Sequence, residues 1–461
     1  MIVVQNKTQL VAKSKNEPLR EARKLVLESY EYTLGSIEAS ALLKSKISII
    51  DQVLKVDGKS YDLSKFRKIF VIGGGKAGAS MSRALEELMA KWITCGIVNV
   101  PKGNILKTKK IILNQASHPL PNQAGVEGSK KMLEIAKQAT EDDLIICLIS
   151  GGGSSLMPLP IEGISIEDKQ EVTQVLLKSG AKINEVNTVR KHLSCLKGGF
   201  LAKAAYPATL LNFIISDVVG DELGSIASGP TVPDNTTFDD AISILKKYFL
   251  WEKVPLSVRN ILTKGEKGII DETPKPNSKF FKKVHNIIIG NNRVACLAVR
   301  NFFEAQGIAT RLLEKAIEGE ARQVGATLAL KIREISSDSL KKPFCLIAGG
   351  ETTVTVKGRG IGGRNQELSL AATIMLNEFT DFVFASLTTD GIDGSTHAAG
   401  AICDGDTLKR ASSLNLNPEM FLAENDSYTF FHKLEDLVFT GQTGTNVNDI
   451  VISLILPKSY R

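Results

Sequence analysis

Lys76 and Arg364 each close a run of glycines, and this is where chemistry is most readable in the sequence. Lys76 ends Gly73-Gly74-Gly75, directly after the apolar run 69–72. A helical pattern follows, with Ala77, Met81, Ala84, Leu85 and Leu88 on one face. Strand, glycine turn and helix in that order let backbone N–H groups approach an anion at a helix N-terminus, where the dipole favours negative charge. Lys76 adds a full positive charge, so phosphate is the ligand suggested. Two familiar versions of such a turn do not fit. Gly73, Gly75 and Gly78 satisfy G-x-G-x-x-G, but the next apolar run, 93–100, ends in Pro101-Lys102-Gly103, without the acid that a dinucleotide ribose wants. A Walker loop fails because Ala77 stands where Ser or Thr would be. By itself the turn reads equally well as a tight strand-to-helix connection.

Other clusters share this position at the end of an apolar run. Ser150-Gly151-Gly152-Gly153-Ser154-Ser155 follows the run 144–149, and its glycines and hydroxyls suit a phosphate or carboxylate. It is not the G-x-S-x-G elbow of a nucleophilic serine. Asn184 is predicted to cap a helix whose apolar stripe is Val186, Val189, Leu193 and Leu196. Asn187, Arg190, Lys191 and Ser194 share its other face, and Lys197 stands near its end. Asp217 and Asp221 lie beyond the run 210–215, in a loop continued by Ser228-Gly229-Pro230-Thr231. They could accept a proton, bind Mg2+ or simply cap turns. Arg364, after six glycines between 349 and 363, is predicted at a helix N-terminus, able to clamp phosphate oxygens. Asp390, Asp393 and the polar loop 441–449 offer hard oxygens. His118, in Ser-His-Pro-Leu-Pro, reads best as a turn histidine.

The elements that must position these groups follow from the apolar runs. They are continuous rather than alternating and are separated by helical patterns, as in α/β proteins with mostly parallel, doubly covered sheets. In such sheets ligands bind beyond the carboxyl ends of the strands. At 461 residues the chain calls for two domains. The Lys-, Gly- and Pro-rich stretch 263–283 is the predicted linker, dividing a domain 1–275 from one at 284–461. Residues 18–57 look helical and could dock on either. The net charge of +7 is scattered and not interleaved with aromatics, which disfavours nucleic acid. No run reaches membrane-spanning length, and the N-terminus lacks the order of a signal peptide, so a cytoplasmic protein away from membranes is expected. The six cysteines form no C-x-x-C pair and are expected to be buried reduced thiols.

Taken together, the segments 73–81, 117–125, 150–156, 184–202, 216–231, 349–367, 389–394 and 443–449 resemble the MOFRL-type (type II) glycerate kinases in sequence and order. Asn122 stands where an Asp is common in that family. The resemblance implies two α/β domains, the first Rossmann-like, with the active site in the cleft between them. It implies ATP-dependent phosphorylation of D-glycerate at the 2-hydroxyl, with Lys76 and Arg364 as catalytic cations. Asp217 is the expected proton acceptor. Gly74, Gly75, Ser150, Gly151, Gly152, Gly153, Ser154, Ser155, Lys197, Gly229 and Asn365 are expected around the nucleotide. Asn187, Arg190 and Lys191 are expected around glycerate, and Glu351, Asp390 and Asp393 around Mg2+. An NAD(P)-dependent hydroxypyruvate reductase is the rival reading, and a non-catalytic sugar-phosphate or nucleotide sensor a third. The assembly is left open, a homodimer included.

Overall fold

The computed structural model describes residues 2–103, 106–337 and 340–457. It divides into two compact units, residues 39–289 and residues 1–38 with 290–461.

The 39–289 unit opens with a small antiparallel sheet, β1 (Ile47–Ile50), β2 (Val53–Val56) and β3 (Lys59–Asp62). Its main sheet contains β4 (Lys68–Gly74), β5 (Cys95–Pro101), β6 (Ile111–Ala116), β7 (Asp143–Ser150), β8 (Thr209–Ile215) and β9 (Val284–Gly290). The spatial order is β6-β5-β4-β7-β8-β9, with parallel pairing from β6 through β8. β7 is buried along its whole length, as its unbroken apolar run predicts. The chain leaves β4 toward β5 and β6, then returns to β7 and continues outward on the other side. β4 and β7 are therefore neighbours whose connections diverge. The crevice beyond their carboxyl ends is the topological switch point, the usual ligand position in open α/β sheets. Gly74 and Ser150 end these two strands, so the sheet order alone sets Lys76 beside the triple-glycine turn.

The other unit contains β10 (Ala309–Leu312), β11 (Ile317–Glu320), β12 (Phe344–Thr353), β13 (Phe382–Thr388), β14 (Gly400–Asp404), β15 (Leu437–Val438) and β16 (Asp449–Ile455). Its order is β10-β12-β16-β13-β14-β15, with β11 also on β12. Only β10 and β11 pair in parallel, both with β12. The β12–β16, β13–β16, β13–β14 and β14–β15 pairings are antiparallel. The mostly parallel sheet expected here is thus corrected to a mixed one. The runs misled because β13, β14 and β16 are buried at every residue, and full burial on both faces erases the alternation that marks most antiparallel strands.

The domain boundary also differs from the expectation. Residues 263–283 are no linker: Glu272 accepts from His192 and the Phe238 N–H, the Asp234 N–H donates to the Pro274 carbonyl, and β9 then completes the first sheet. Helix Glu17–Ser36 packs with the second sheet's unit through buried Arg23, Val26, Leu27, Tyr30 and Leu34. Arg23, fully buried, donates to Asp404, to Asp436 at 3.0 Å and to the Leu10 carbonyl at 2.9 Å. All six cysteines are free. Four are buried, whereas Cys95 is exposed and Cys195 partly so. No helix among the described residues is long and apolar enough to cross a membrane.

Candidate active site

The glycine turn after β4 is closed by its own backbone. Gly75 N–H donates to the Asn99 carbonyl, Lys76 N–H to the Gly151 carbonyl at 2.8 Å, and Gly78 N–H to the Gly75 carbonyl. Ala77 N–H donates to Ser150 Oγ at 3.0 Å. The N–H groups expected to hold an anion are therefore engaged in tying β4 to β5 and β7. This corrects the roles read for Gly74, Gly75 and Ser150, which build the turn. What the turn offers outward is the half-buried Lys76 side chain.

At the Lys76 and triple-glycine turns the fold gathers two other groups. A Cβ added at Gly151 would lie 1.9 Å from Asp217 Oδ2, so the Asp217 carboxylate rests directly on the triple-glycine turn. Gly152 has φ +78°, and a Cβ there would lie 2.9 Å from His118 Nε2 and 3.4 Å from Lys76 Cγ. His118, read from sequence as a turn residue, thus stands beside the catalytic lysine candidate. Partial burial, and then the Lys76 ammonium, push its imidazole below the usual value. Proximity in space is the only signal that finds it, and no spacing in the sequence carries it. Gly151→Ala is expected to displace the Asp217 carboxylate and lower kcat roughly 10²-fold. Its melting temperature should change little, because half-buried Asp217 can swing outward; steady-state kinetics beside a melting curve test this.

The loop after β8 completes this face. Ser154 Oγ lies 2.8 Å from Ser228 Oγ, which donates to Asn187 Oδ1 at 3.1 Å. Ser155 bonds back to the Gly152 carbonyl, and Gly229, at φ +64°, is buried in the turn beneath Ser228. Asn184 is not the cap: helix Ile183–His192 already includes it, and the Lys182 N–H donates to Glu185 instead. The predicted stripe of Val186, Val189, Leu193 and Leu196 is buried. The helix ends at His192, so Lys197 lies in the following turn, fully buried, with its ammonium 3.4 Å from the Ala227 carbonyl. Lys191 pairs with Asp234 at 3.3 Å.

A second polar centre lies in the other unit, at one end of three adjacent strands. In register, Gly350 of β12 and Thr388 of β13 both flank Asp449 of β16. Arg364, first residue of helix Arg364–Met375, donates from Nε and Nη2 to Asp449 at 2.6 and 3.1 Å, and from Nη1 to Glu351 at 2.6 Å. Burial lowers the guanidinium pKa, but Asp449 and Glu351 more than offset it and leave it raised. Asp449 is almost fully buried; the sequence reading placed it in a polar loop offering hard oxygens, with no role of its own. A lone acid heading the apolar run 450–456 was the available signal. Asp390 Oδ1 accepts from Thr388 Oγ1 and Ile392 N–H.

Asp393 differs from its expected metal role. Its oxygens accept from Asn365 N–H, Asn365 Nδ2, Gln366 N–H and Gln366 Nε2, between 2.9 and 3.2 Å. Burial, then the charge of Asp449, push this carboxyl up to about 6 despite those bonds. Asn365 is 1% exposed, with its amide held by Asp393 and Ser386, so it positions the helix start and is not aimed at a nucleotide. No group of three or more metal-ligating side chains occurs among the described residues.

Comparison with known proteins identifies the family. The family described as domain of unknown function DUF4147 matches residues 25–263, and the MOFRL family matches residues 344–449. A glycerate 2-kinase of Pyrococcus horikoshii is 43% identical over 418 residues, covering 90% of this chain and 93% of the relative. The crystal structure of a glycerate kinase from Thermotoga maritima superposes with a TM-score of 0.83 at 37% identity, covering 94% of this chain and 99% of that one. A protein of Agrobacterium vitis named as a hydroxypyruvate reductase is 40% identical over 389 residues, covering 84% of this chain and 98% of its own.

Proposed function

Because the chain belongs to the glycerate kinases built from a DUF4147 and a MOFRL domain, we propose that it transfers the γ-phosphoryl group of ATP to the 2-hydroxyl of D-glycerate, giving 2-phosphoglycerate and ADP. The observation that carries this reading is Lys76 at the switch point, with Asp217 resting on the adjoining glycine turn. A phosphoryl-transfer transition state spreads charge over equatorial oxygens, so catalysis is mostly positioning and cationic stabilisation. Lys76 binds those oxygens. Asp217 accepts the proton of the attacking hydroxyl. Gly151, Gly152 and Gly153 let Asp217, His118 and the Ala227 methyl group pack on the turn beside Lys76, with the Ser154 and Ser155 hydroxyls at the turn's edge. Asn187, Arg190 and Lys191 serve the glycerate end.

Arg364 is the second cation. Three of its N–H groups hold Asp449 and Glu351, leaving two that can face phosphate oxygens. Glu351 and Asp390, hard oxygen donors at the ends of β12 and β13, suit Mg2+, whereas the fully engaged Asp393 does not. When bound, Mg2+ would neutralise charge on the nucleotide's phosphates. The protein is proposed to act in the cytoplasm, with a homodimer as the proposed assembly.

The test is incubation of the purified protein with ATP, Mg2+ and D-glycerate, following ADP release. A parallel reaction contains hydroxypyruvate and NADH or NADPH. Glycerate-dependent ADP release is expected. Oxidation of NAD(P)H without ADP release would instead assign the reductase activity. No acid follows β5 at Pro101-Lys102-Gly103 to hold a dinucleotide ribose, which favours the kinase.

A further inference from the structure

Three hydroxyl side chains of helix Glu17–Ser36 are buried, and two of them serve the helix itself. Ser29 Oγ donates to the Val26 carbonyl at 2.7 Å, and Thr33 Oγ1 to the Ser29 carbonyl at 2.8 Å. Tyr30, fully buried, reaches out of the helix instead, and its hydroxyl donates to the Thr388 carbonyl at 2.6 Å. Thr388 is the last residue of β13 and stands opposite Asp449, the first residue of β16. The Thr388 hydroxyl donates in turn to Asp390 Oδ1 at 3.1 Å. Just beyond the helix, the Ile37 carbonyl accepts from Thr445 Oγ1 at 3.1 Å, in the loop that leads into β16. The helix and its last turn therefore reach both strand ends at the Arg364 centre.

Those two ends are also bound to each other. The Thr389 N–H and Oγ1 both donate to the Asn448 carbonyl, at 3.0 and 2.7 Å. The Val447 N–H donates to Thr389 Oγ1 at 2.8 Å, and Thr443 Oγ1 to the Thr389 carbonyl at 2.6 Å. A hydroxyl taken out of water is unfavourable unless it is bonded, and the buried neighbours of Tyr30 on its helix include apolar Val26, Leu27 and Leu34. A phenylalanine would fill the same space without that demand. What the tyrosine adds is one fixed donor at the end of β13. Burial, then the charge of Asp390, push the phenol's pKa up, so the hydroxyl stays a donor.

We propose that Tyr30 is a positioning residue for Arg364: by holding the Thr388 carbonyl it sets the ends of β13 and β16, and with them the Asp449 carboxylate that aims the guanidinium. This rests on the kinase reading, in which Arg364 is the second cation, and deepens it by giving helix Glu17–Ser36 a part in the reaction. Tyr30 itself touches no substrate. Arg364 makes two of its three bonds to Asp449, so a shift of that carboxylate turns the whole planar fork. Misplacing a positioned group by about 1 Å can cost roughly 10²-fold in rate, and losing one bond at a strand end moves it less, so a loss of about tenfold is expected.

The test compares Tyr30→Phe with Val26→Ala, which trims the same buried face of the helix without removing a hydrogen-bonding group. Two readouts are taken on the full-length protein. One is steady-state ADP release from ATP and D-glycerate; the other is the solvent exchange rate of the Arg364 Nε–H, followed by nitrogen-15 NMR. Tyr30→Phe is expected to lower kcat about tenfold with KM for D-glycerate within about twofold, and to speed the Nε–H exchange about tenfold. Val26→Ala should lower the melting temperature at least as far while leaving kcat and exchange within about twofold. In an Arg364→Lys background, where the fork is gone, Tyr30→Phe should change kcat by less than about twofold. Unchanged exchange in Tyr30→Phe, equal losses of kcat in the two backgrounds, or the same response from Val26→Ala overturns the proposal. If the wild type releases ADP in that case, the kinase reading stands. Faster exchange confined to Tyr30→Phe, in a protein that releases no ADP, supports the positioning of Arg364 by Tyr30 while removing the kinase reading.

Discussion

Lys76→Ala is expected to lower kcat by about 10³-fold and leave the melting temperature within a degree or two of wild type. The chemical loss follows from removing a fixed cation aimed at charge that develops in the transition state, where single donors are worth roughly 10²–10³ in rate and full charges more. The small structural effect follows from how the turn is built. Four consecutive N–H groups, from Gly75 to Ala77 and Gly78, are held by Asn99, Gly151, Ser150 and Gly75, and none of these bonds uses the Lys76 side chain. A methyl group at position 76 leaves them intact. Steady-state kinetics beside a calorimetric melting curve separate the two effects. A large drop in melting temperature with modest loss of rate would make Lys76 a structural residue.

Arg23→Met is expected to show the opposite pattern, a loss of about 3–5 kcal/mol of stability with its origin far from any phosphate chemistry. Arg23, Asp404 and Asp436 are all essentially buried, and removing the guanidinium strands two carboxylates. Arg410 relieves part of this, at 2.7 Å from Asp436 and 3.7 Å from Asp404. Burial pushes the Asp404 carboxyl up, but Arg23 and then Arg410 pull it below its ordinary value. A carboxyl depressed in the folded state contributes stability above its unfolded pKa of about 4, and that contribution is lost as pH falls through the folded value. Denaturation curves between pH 3 and 7 should therefore show a shallower acid-side decline in Arg23→Met. Adding Asp404→Asn and Asp436→Asn should recover part of the loss. Full stability in Arg23→Met would show that the network is not what fastens helix Glu17–Ser36 to its unit.

The two cationic turns were legible because each combines three local signals: an apolar run, glycines and a helical pattern. Those signals place Lys76 and Arg364 at strand-to-helix junctions, and the structure has both there. What the turns do with their backbone was not legible. A glycine-rich turn that cradles an anion and one whose N–H groups are engaged by neighbouring strands have the same composition, and only the adjacency of β4, β5 and β7 decides between them. His118 and Asp449 escaped for a related reason. Each acquires its setting from a segment distant in sequence: His118 from the Gly152 turn and Asp449 from Arg364. Strand direction in the second sheet was hidden by complete burial. The attachment of helix Glu17–Ser36 depends on two acids some 400 positions away, Asp404 and Asp436.

Phosphorus-31 NMR of the reaction of ATP, Mg2+ and D-glycerate tests the central claim most directly, because it reports both the transfer and the acceptor oxygen. The wild-type protein should produce a single new phosphomonoester, 2-phosphoglycerate, in step with ADP, and Lys76→Ala should leave the ATP resonances unchanged over the same interval. Formation of 3-phosphoglycerate, or an undiminished rate in Lys76→Ala, would contradict a 2-kinase whose chemistry depends on the cation at the β4–β7 switch point.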